Sequence, residues 1–244
     1  MEILGIDVGG SGIKGAPVNI VTGELTGERH RIPTPQPATP DAIGDVIKEL
    51  VGYFNWKGKV GIGFPAPVQK GVVLTATNID NSWIGTNIDS FLSKKTGCDV
   101  HVVNDADAAG IAEMAFGSKK VKSGVVLLLT IGTGIGSALF VNGSLLPNTE
   151  LGNLELMNMS IEQFASDLTR KKEDLNWKNW AKRFNKVLNL CEQLFYPNLF
   201  IIGGGVSKKM EKFEKYIDID TKFVAAGFLN NAGIIGAAVY ASEK

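Results

Sequence analysis

The sequence predicts an α/β protein made of two related lobes. Short apolar runs of strand character alternate with amphipathic helical stretches, a pattern that belongs to α/β folds. Glycine is in excess, 29 of 244 residues, and gathered in clusters rather than spread. One cluster also returns after about half the chain: a shift of 122 sets Gly10-Ser11-Gly12-Ile13 against Gly132-Thr133-Gly134-Ile135.

Strands are expected at Ile3–Val8, Lys59–Phe64, Val100–Val103, Val125–Thr130, Ile135–Val141 and Leu199–Ile202, each bounded by glycine or polar turns. A helix is expected over Asp41–Phe54, opened by Pro40 and Asp41, with Ile43, Val46, Ile47, Leu50 and Val51 at helical spacing. The longest helix, Trp177–Phe195, carries an apolar stripe of Trp177, Trp180, Phe184, Val187, Leu188, Cys191, Leu194 and Phe195, with Lys178, Lys182 and Lys186 on another face. The proline-rich stretch Ile32–Pro40 reads as an exposed loop.

Several classes fall away at once. The length suits one large or two small domains, and the 44% hydrophobic content with zero net charge is unlike a disordered chain. No apolar run reaches the roughly 18–20 residues that span a bilayer, and the N-terminal residues lack a basic region ahead of an apolar stretch, so a cytoplasmic enzyme is expected. Cys98 and Cys191, without any Cys-x-x-Cys, read as two buried thiols. No Gly-x-Gly-x-x-Gly leads from a strand into a helix, and no Gly-Lys-Ser/Thr follows a glycine loop, which disfavours dinucleotide oxidoreductases and P-loop enzymes.

Each glycine cluster follows a strand-like run. Such a turn can aim successive N–H groups at an anion, and the expectation is that glycine is there to supply positive φ close to a ligand. Two such turns would grip a phosphate chain.

The clusters carry a family resemblance. Asp7-Val8-Gly9-Gly10-Ser11-Gly12-Ile13-Lys14-Gly15 resembles the first phosphate motif of the ROK sugar kinases, within the actin-like/sugar-kinase/Hsp70 ATPase superfamily. Thr130 to Gly136 resembles the second phosphate motif, and Ile201-Ile202-Gly203-Gly204-Gly205-Val206 the adenosine motif. Residues 10–16, Asn78–Gly85, Gly132–Val141, Pro147–Gly152 and Lys172–Lys182 are similar to the polyphosphate glucokinase branch. The resemblance implies a two-lobed actin-like (ribonuclease H-like) ATPase fold with a cleft between the lobes. One lobe would span residues 1–103 with 229–244 and the other 104–228. Asn231–Ala241 is similar to the closing helix of the family, and its small residues suit close packing.

The resemblance also implies roles. Phosphoryl transfer to a hydroxyl needs positioning, charge stabilisation and a carboxylate to accept a proton. Asn104-Asp105-Ala106 matches the family's Asn-Asp-Ala element, making Asp105 the expected catalytic base; taken alone, Asn104-Asp105 reads equally as a turn and helix cap. Asp7 is expected to hold Mg²⁺, through water, because an unpaired acid beside a phosphate would repel it. Gly9, Gly10, Ser11, Gly12, Lys14, Gly132, Thr133 and Gly134 are the expected phosphate contacts, Lys14 having a solvated strand-end lysine as its alternative. Gly203, Gly204 and Gly205 form the nucleotide-type turn. The sugar contacts would be Asn78, Asn104, Asp105, Glu150, Asn153 and Glu162; without the family, Glu162 reads as a surface residue. Where the family has Glu-x-Gly-His this chain has Glu150-Leu151-Gly152-Asn153, so an amide replaces a histidine, which leaves sugar preference open and, with the family's three cysteines also missing, implies no structural zinc.

The neutral total charge, taken alone, argues against a polyanionic partner, yet it is a sum of unequal regions. From Thr169 to Lys215, 11 Lys and Arg stand against 5 Asp and Glu, a balance of +6, and Lys119, Lys120 and Lys122 form a second cluster. A track of cations suits a phosphate polymer; a solvated helix face is the alternative. The expected activity is phosphorylation of glucose, or a close hexose, at its 6-hydroxyl from inorganic polyphosphate, ATP being a further donor. An ATP-dependent hexose or N-acylhexosamine kinase and a non-catalytic sugar-binding regulator are the other readings. Asp7 lies too near the start for the DNA-binding module that repressors of the family carry, so no nucleic acid or membrane partner is expected. The resemblance implies a homodimer and lobes that close on the sugar.

Overall fold

The computed structural model describes residues 1–117 and 123–244; Lys119, Lys120 and Lys122 lie outside the described residues. In chain order the elements are β1 (Glu2–Gly9), β2 (Gly12–Asn19), β3 (Glu24–Leu25), β4 (His30–Ile32), α1 (Pro40–Tyr53), β5 (Lys59–Phe64), β6 (Val68–Gln69), β7 (Val72–Val73), α2 (Ile88–Thr96), β8 (Asp99–Asn104) and α3 (Asp105–Phe116). There follow β9 (Val125–Ile131), β10 (Ile135–Val141), β11 (Ser144–Leu146), β12 (Glu155–Leu156), β13 (Met159–Ser160), α4 (Ile161–Ala165), α5 (Asp167–Lys172), α6 (Trp177–Phe195), β14 (Leu199–Gly204), β15 (Phe223–Ala225) and α7 (Ala232–Ser242). The chain divides into two compact units, Met1–Phe116 with Asn231–Lys244, and Gly117–Asn230.

The division falls later than the expected boundary after residue 103, so α3 and Asp105 group with the first unit. The reason is packing: an added Cβ at Gly236 of α7 would run into the Ala108 carbonyl of α3, so the two helices touch backbone to backbone. The small residues of α7 allow the same approach to the sheet, where a Cβ at Gly5 or Gly61 would overlap the carbonyl of Ile234 or Ala237.

Both units contain a sheet of the same strand order. In the first it runs β3-β2-β1-β5-β8, with β4 also on β2; in the second it runs β11-β10-β9-β14-β15. The first two strands of each pair antiparallel across a glycine turn, and β5 pairs parallel with β1 as β14 does with β9. The repeat seen in the sequence is therefore a repeat of topology.

Local chemistry sets the element ends. Thr39 caps α1, its hydroxyl accepting from Ala42 N, with Pro40 in the first turn where its missing N–H costs nothing. Asn176 caps α6 in the same way, and Tyr196 ends it in the left-handed region. On α6 the residues Trp180, Phe184, Val187, Leu188 and Cys191 are buried as expected, but Leu194 is 53% exposed and leaves the stripe. Cys98 and Cys191 are both free and buried, and burial pushes the Cys191 thiol up to about 12. Among the described residues no helix is long and apolar enough to cross a membrane.

Candidate active site

In the first unit the carboxyl ends of the parallel strands β1, β5 and β8 lie side by side, the usual place for a site in such sheets. β1 contributes Asp7 and the turn Gly9–Gly12, β5 ends at Phe64 beside Asn104, and β8 runs directly into α3. Asn104 is buried, and its Oδ1 accepts from the N–H groups of Ala106 (2.9 Å) and Asp107 (3.1 Å). The cap reading of Asn104 therefore holds, and only its Nδ2 can be offered to a ligand. Asp105, half-buried at the first position of α3, accepts from Ala106 N at Oδ1 (2.8 Å), which fixes its carboxylate at the helix start.

Asp7 is not the unpaired acid expected. Lys14 lies opposite it across β1 and β2, and its Nζ is 3.1 Å from Asp7 Oδ2. The ion pair settles within the chain the repulsion that had called for a metal, and it also engages the cation assigned to phosphate.

A pocket of about 410 Å³ opens beside the first turn, within the range of small-ligand sites. Its lining includes Gly9, Gly10 and Asn78, together with Thr34, Gln36, Pro65 and Asp80, which sequence reading did not single out. The stretch 32–40 is thus more than an exposed loop: Ala38 is buried, its carbonyl receives the indole N–H of Trp83 (2.9 Å), and the residues before it form one wall. No motif flags this wall, because it is brought to the turn by the pairing of β2 with β4. Hydrogen bonds from Ser82 hold the Asp80 carboxyl below its ordinary pKa, so it is an anion at neutral pH.

The expected backbone reason for the turn glycines is not realised. Among the described residues positive φ falls at other glycines, and Gly9, Gly10, Gly12, Gly132 and Gly134 are not among them. Space is restricted at two of them: a Cβ at Gly12 would strike the Arg31 guanidinium and one at Gly134 the Glu162 carboxylate, whereas a Cβ at Gly10 or Gly132 would meet nothing within 4 Å. Only in the third cluster does φ decide, at Gly204 (+75°), whose backbone lies against Ile131 at the end of β9.

In the second unit, Gly132–Gly134 joins β9 to β10, with Thr133 exposed. The Glu162 side chain reaches this turn and accepts from Ile135 N at Oε2 (3.0 Å), so it is neither a plain surface residue nor wholly available to a ligand. A Cβ added at Gly152 would lie 3.7 Å from the same carboxylate, so the segment Glu150–Asn153 comes to this place. Glu150 keeps an exposed edge, yet the protein packed about its carboxyl and, secondly, the charge of Glu162 hold its pKa above the ordinary value. Asn153 is exposed in a short turn. The Gly203–Gly205 turn follows β14 and leads to Lys208, Lys209 and Lys212. Trp177 at the start of α6 gathers cations from two segments, with the Arg170 guanidinium 4.2 Å and Lys209 Nζ 5.7 Å from its ring centre. Arg170, Lys171 and Arg183 have carboxylate partners, whereas Lys178, Lys182 and Lys186 are exposed along α6 with no ion pair among the described residues.

Among the described residues no cluster of three or more His, Cys, Asp or Glu could hold a metal. Asp7, whose Oδ1 is not engaged by Lys14, still fits Mg²⁺ next to a phosphate-type turn, since the ion commonly takes one or two carboxylates and completes its shell with water and substrate phosphate.

The sequence model of the ROK family matches residues 3–152. The chain is 48% identical over 236 residues to a polyphosphate glucokinase of Mycobacterium tuberculosis, spanning 96% of this chain and 89% of that protein. It superposes with a TM-score of 0.94 and 41% identity on the crystal structure of an inorganic polyphosphate/ATP-glucomannokinase from Arthrobacter sp. strain KM, covering 99% of this chain and 98% of that one. A ROK family glucokinase from Streptomyces griseus, solved with glucose and AMPPNP, shares the fold at a TM-score of 0.86 and 23% identity, covering 100% of both chains.

Proposed function

The chain belongs to the ROK family and has its actin-like α/β fold, and from that premise we propose that it is a glucokinase that uses inorganic polyphosphate, and also ATP, to phosphorylate glucose or a close hexose at the 6-hydroxyl. The observation that carries this reading is the 48% identity to a polyphosphate glucokinase sustained over 96% of the chain, since donor and acceptor chemistry both depend on the whole length.

Asp105 is the general base: it stands at the mouth of the parallel strands, held by Ala106 N–H, and takes the proton of the attacking hydroxyl. Asn104 Nδ2, Asn78 and the wall of the 410 Å³ pocket bind the sugar, and Glu150, Asn153 and Glu162 are further proposed sugar contacts. Each glycine turn, with Ser11 in one and Thr133 in the other, is a proposed phosphate contact. The Gly203–Gly205 turn and the cations around Trp177 and along α6 hold the rest of the donor, which is supported by the +6 balance of residues 169–215. Asp7 would hold Mg²⁺ through water, and the ion would offset charge on the phosphates. A cytoplasmic homodimer completes the reading.

A coupled assay for glucose 6-phosphate, run with polyphosphate and with ATP at two salt concentrations and repeated with mannose, tests it. Turnover with polyphosphate that weakens with salt is expected. Full turnover with ATP and none with polyphosphate at low salt would overturn the donor assignment.

A further inference from the structure

Asp7, Lys14 and Arg31 form one row across β1, β2 and β4, since Asp7 pairs with Lys14 and Lys14 with Arg31 in register. Directly opposed residues share a face, and like charges placed so repel. Asp7 neutralises Lys14 at 3.1 Å, which leaves the row one positive charge in surplus. Among the described residues, Arg31 has no carboxylate within ion-pair distance. Its guanidinium instead lies against Gly12, and Nη2 donates to the Ser11 carbonyl (2.5 Å) while the side chain stays exposed. One donor of the fork is thereby spent and the others remain for a ligand.

The neighbouring Thr34 shapes the same turn. Its hydroxyl donates to the Gly9 carbonyl (2.5 Å). Across a trans peptide the carbonyl and the following N–H point in opposite directions, so this bond turns the Gly10 N–H away from the 32–40 loop. Nothing lies within 4 Å of a Cβ built at Gly10. An oriented N–H and open space at Gly10 and an unneutralised guanidinium against Ser11 and Gly12 thus lie on the same short turn.

We propose that Arg31, rather than Lys14, is the cation that binds a phosphate oxygen of the donor at the first glycine turn. The assignment rests on the phosphoryl-transfer reading above. Thr34 is a positioning residue: it orients the turn without touching the donor.

The test compares Arg31→Gln, Arg31→Lys and Thr34→Val in the full chain, measuring KM for polyphosphate, for ATP and for glucose over a series of salt concentrations. Loss of a charge-assisted contact should raise the donor KM about tenfold or more in Arg31→Gln. By analogy with nucleic acid phosphates, the slope of log KM against log salt should fall by roughly 0.7–0.9, while KM for glucose stays put. Arg31→Lys keeps the slope and raises KM less; Thr34→Val raises the donor KM with the slope intact. A wild-type slope and donor KM in Arg31→Gln overturn the proposal, as does an equal rise in glucose KM. If the wild-type protein forms no sugar phosphate with either donor, the parent reading falls and this one with it; if the wild type turns over and Arg31→Gln matches it, only the Arg31 assignment is lost.

Discussion

The capping of α3 by Asn104 and its proposed sugar contact can be separated by substitution. Asn104 Oδ1 receives two N–H groups of α3, at 2.9 and 3.1 Å, in a place only 6% exposed, and its Nδ2 is what remains for a ligand. Alanine at an N-cap costs about 1 kcal/mol, and stranding buried donors away from water adds about 1–3 kcal/mol. Asn104→Ala should therefore lose about 2–4 kcal/mol, which for a chain of this size lowers the melting temperature by about 4–16 °C. Serine ranks with asparagine as a cap, so Asn104→Ser should stay within about 1 kcal/mol of wild type. Its hydroxyl is shorter and carries no amide, so KM for glucose should rise about tenfold. Calorimetric melting and steady-state kinetics at saturating donor read the two effects apart. If Asn104→Ala melts like wild type, the capping argument is wrong; if Asn104→Ser keeps the wild-type glucose KM, the amide is not a sugar contact.

Asp105→Asn should cut turnover by about 10²–10⁴ while glucose still binds in calorimetry, and retained turnover would remove Asp105 from the base position. Gly236→Ala should destabilise by about 3 kcal/mol or more, because the new methyl meets the Ala108 carbonyl and backbone cannot move aside as a side chain can; a wild-type urea midpoint would contradict this. Glu162→Gln keeps an acceptor for Ile135 N–H but removes a charge, so NMR titration should find the Glu150 pKa lowered yet still above the ordinary value, burial being its larger cause. A carboxyl with a raised folded-state pKa binds more proton folded than unfolded, so its contribution to stability falls as pH rises from the unfolded pKa through the folded one. Glu150→Gln should flatten that part of the stability profile in denaturant titrations.

What the sequence made legible was local. Lys59–Phe64, Ile135–Val141 and Trp177–Phe195 were read to the residue because period and boundary signals coincide there. Helix α3 was signalled only by the cap reading of Asn104-Asp105: Asp-Ala-Asp-Ala-Ala-Gly is poor in large apolar side chains, and the helix is held by close backbone approach to α7, which leaves no stripe to read. The site divides the same way. Asp105, Asn78 and the glycine turns carried motifs, whereas Arg31, Thr34 and Gln36 reach the first turn only because β4 pairs with β2, an event that no spacing encodes.

The two glycine turns show how far a shared backbone can part in chemistry. They join equivalent strands of sheets with one topology, and in both a Cβ at the aligned glycine, Gly10 or Gly132, would meet nothing within 4 Å. The groups behind them have opposite charge. Arg31 and Thr34 hold carbonyls of the first turn, leaving its N–H side and a positive charge toward an incoming anion. At the second, the Glu162 carboxylate takes the Ile135 N–H, and the Asp167 and Leu168 N–H groups of α5 are drawn to the Gly132 carbonyl. A phosphate approaching Ile135 would have to displace a carboxylate from its hydrogen bond and meet its charge, so the proposed donor contact of this turn is confined to Gly132 and Thr133. Glu162, in turn, can serve a sugar hydroxyl only through the oxygen not bound to Ile135. The asymmetry follows from which element packs behind each turn, β4 in one unit and α4 in the other, and it makes the first turn the stronger anion site of the two.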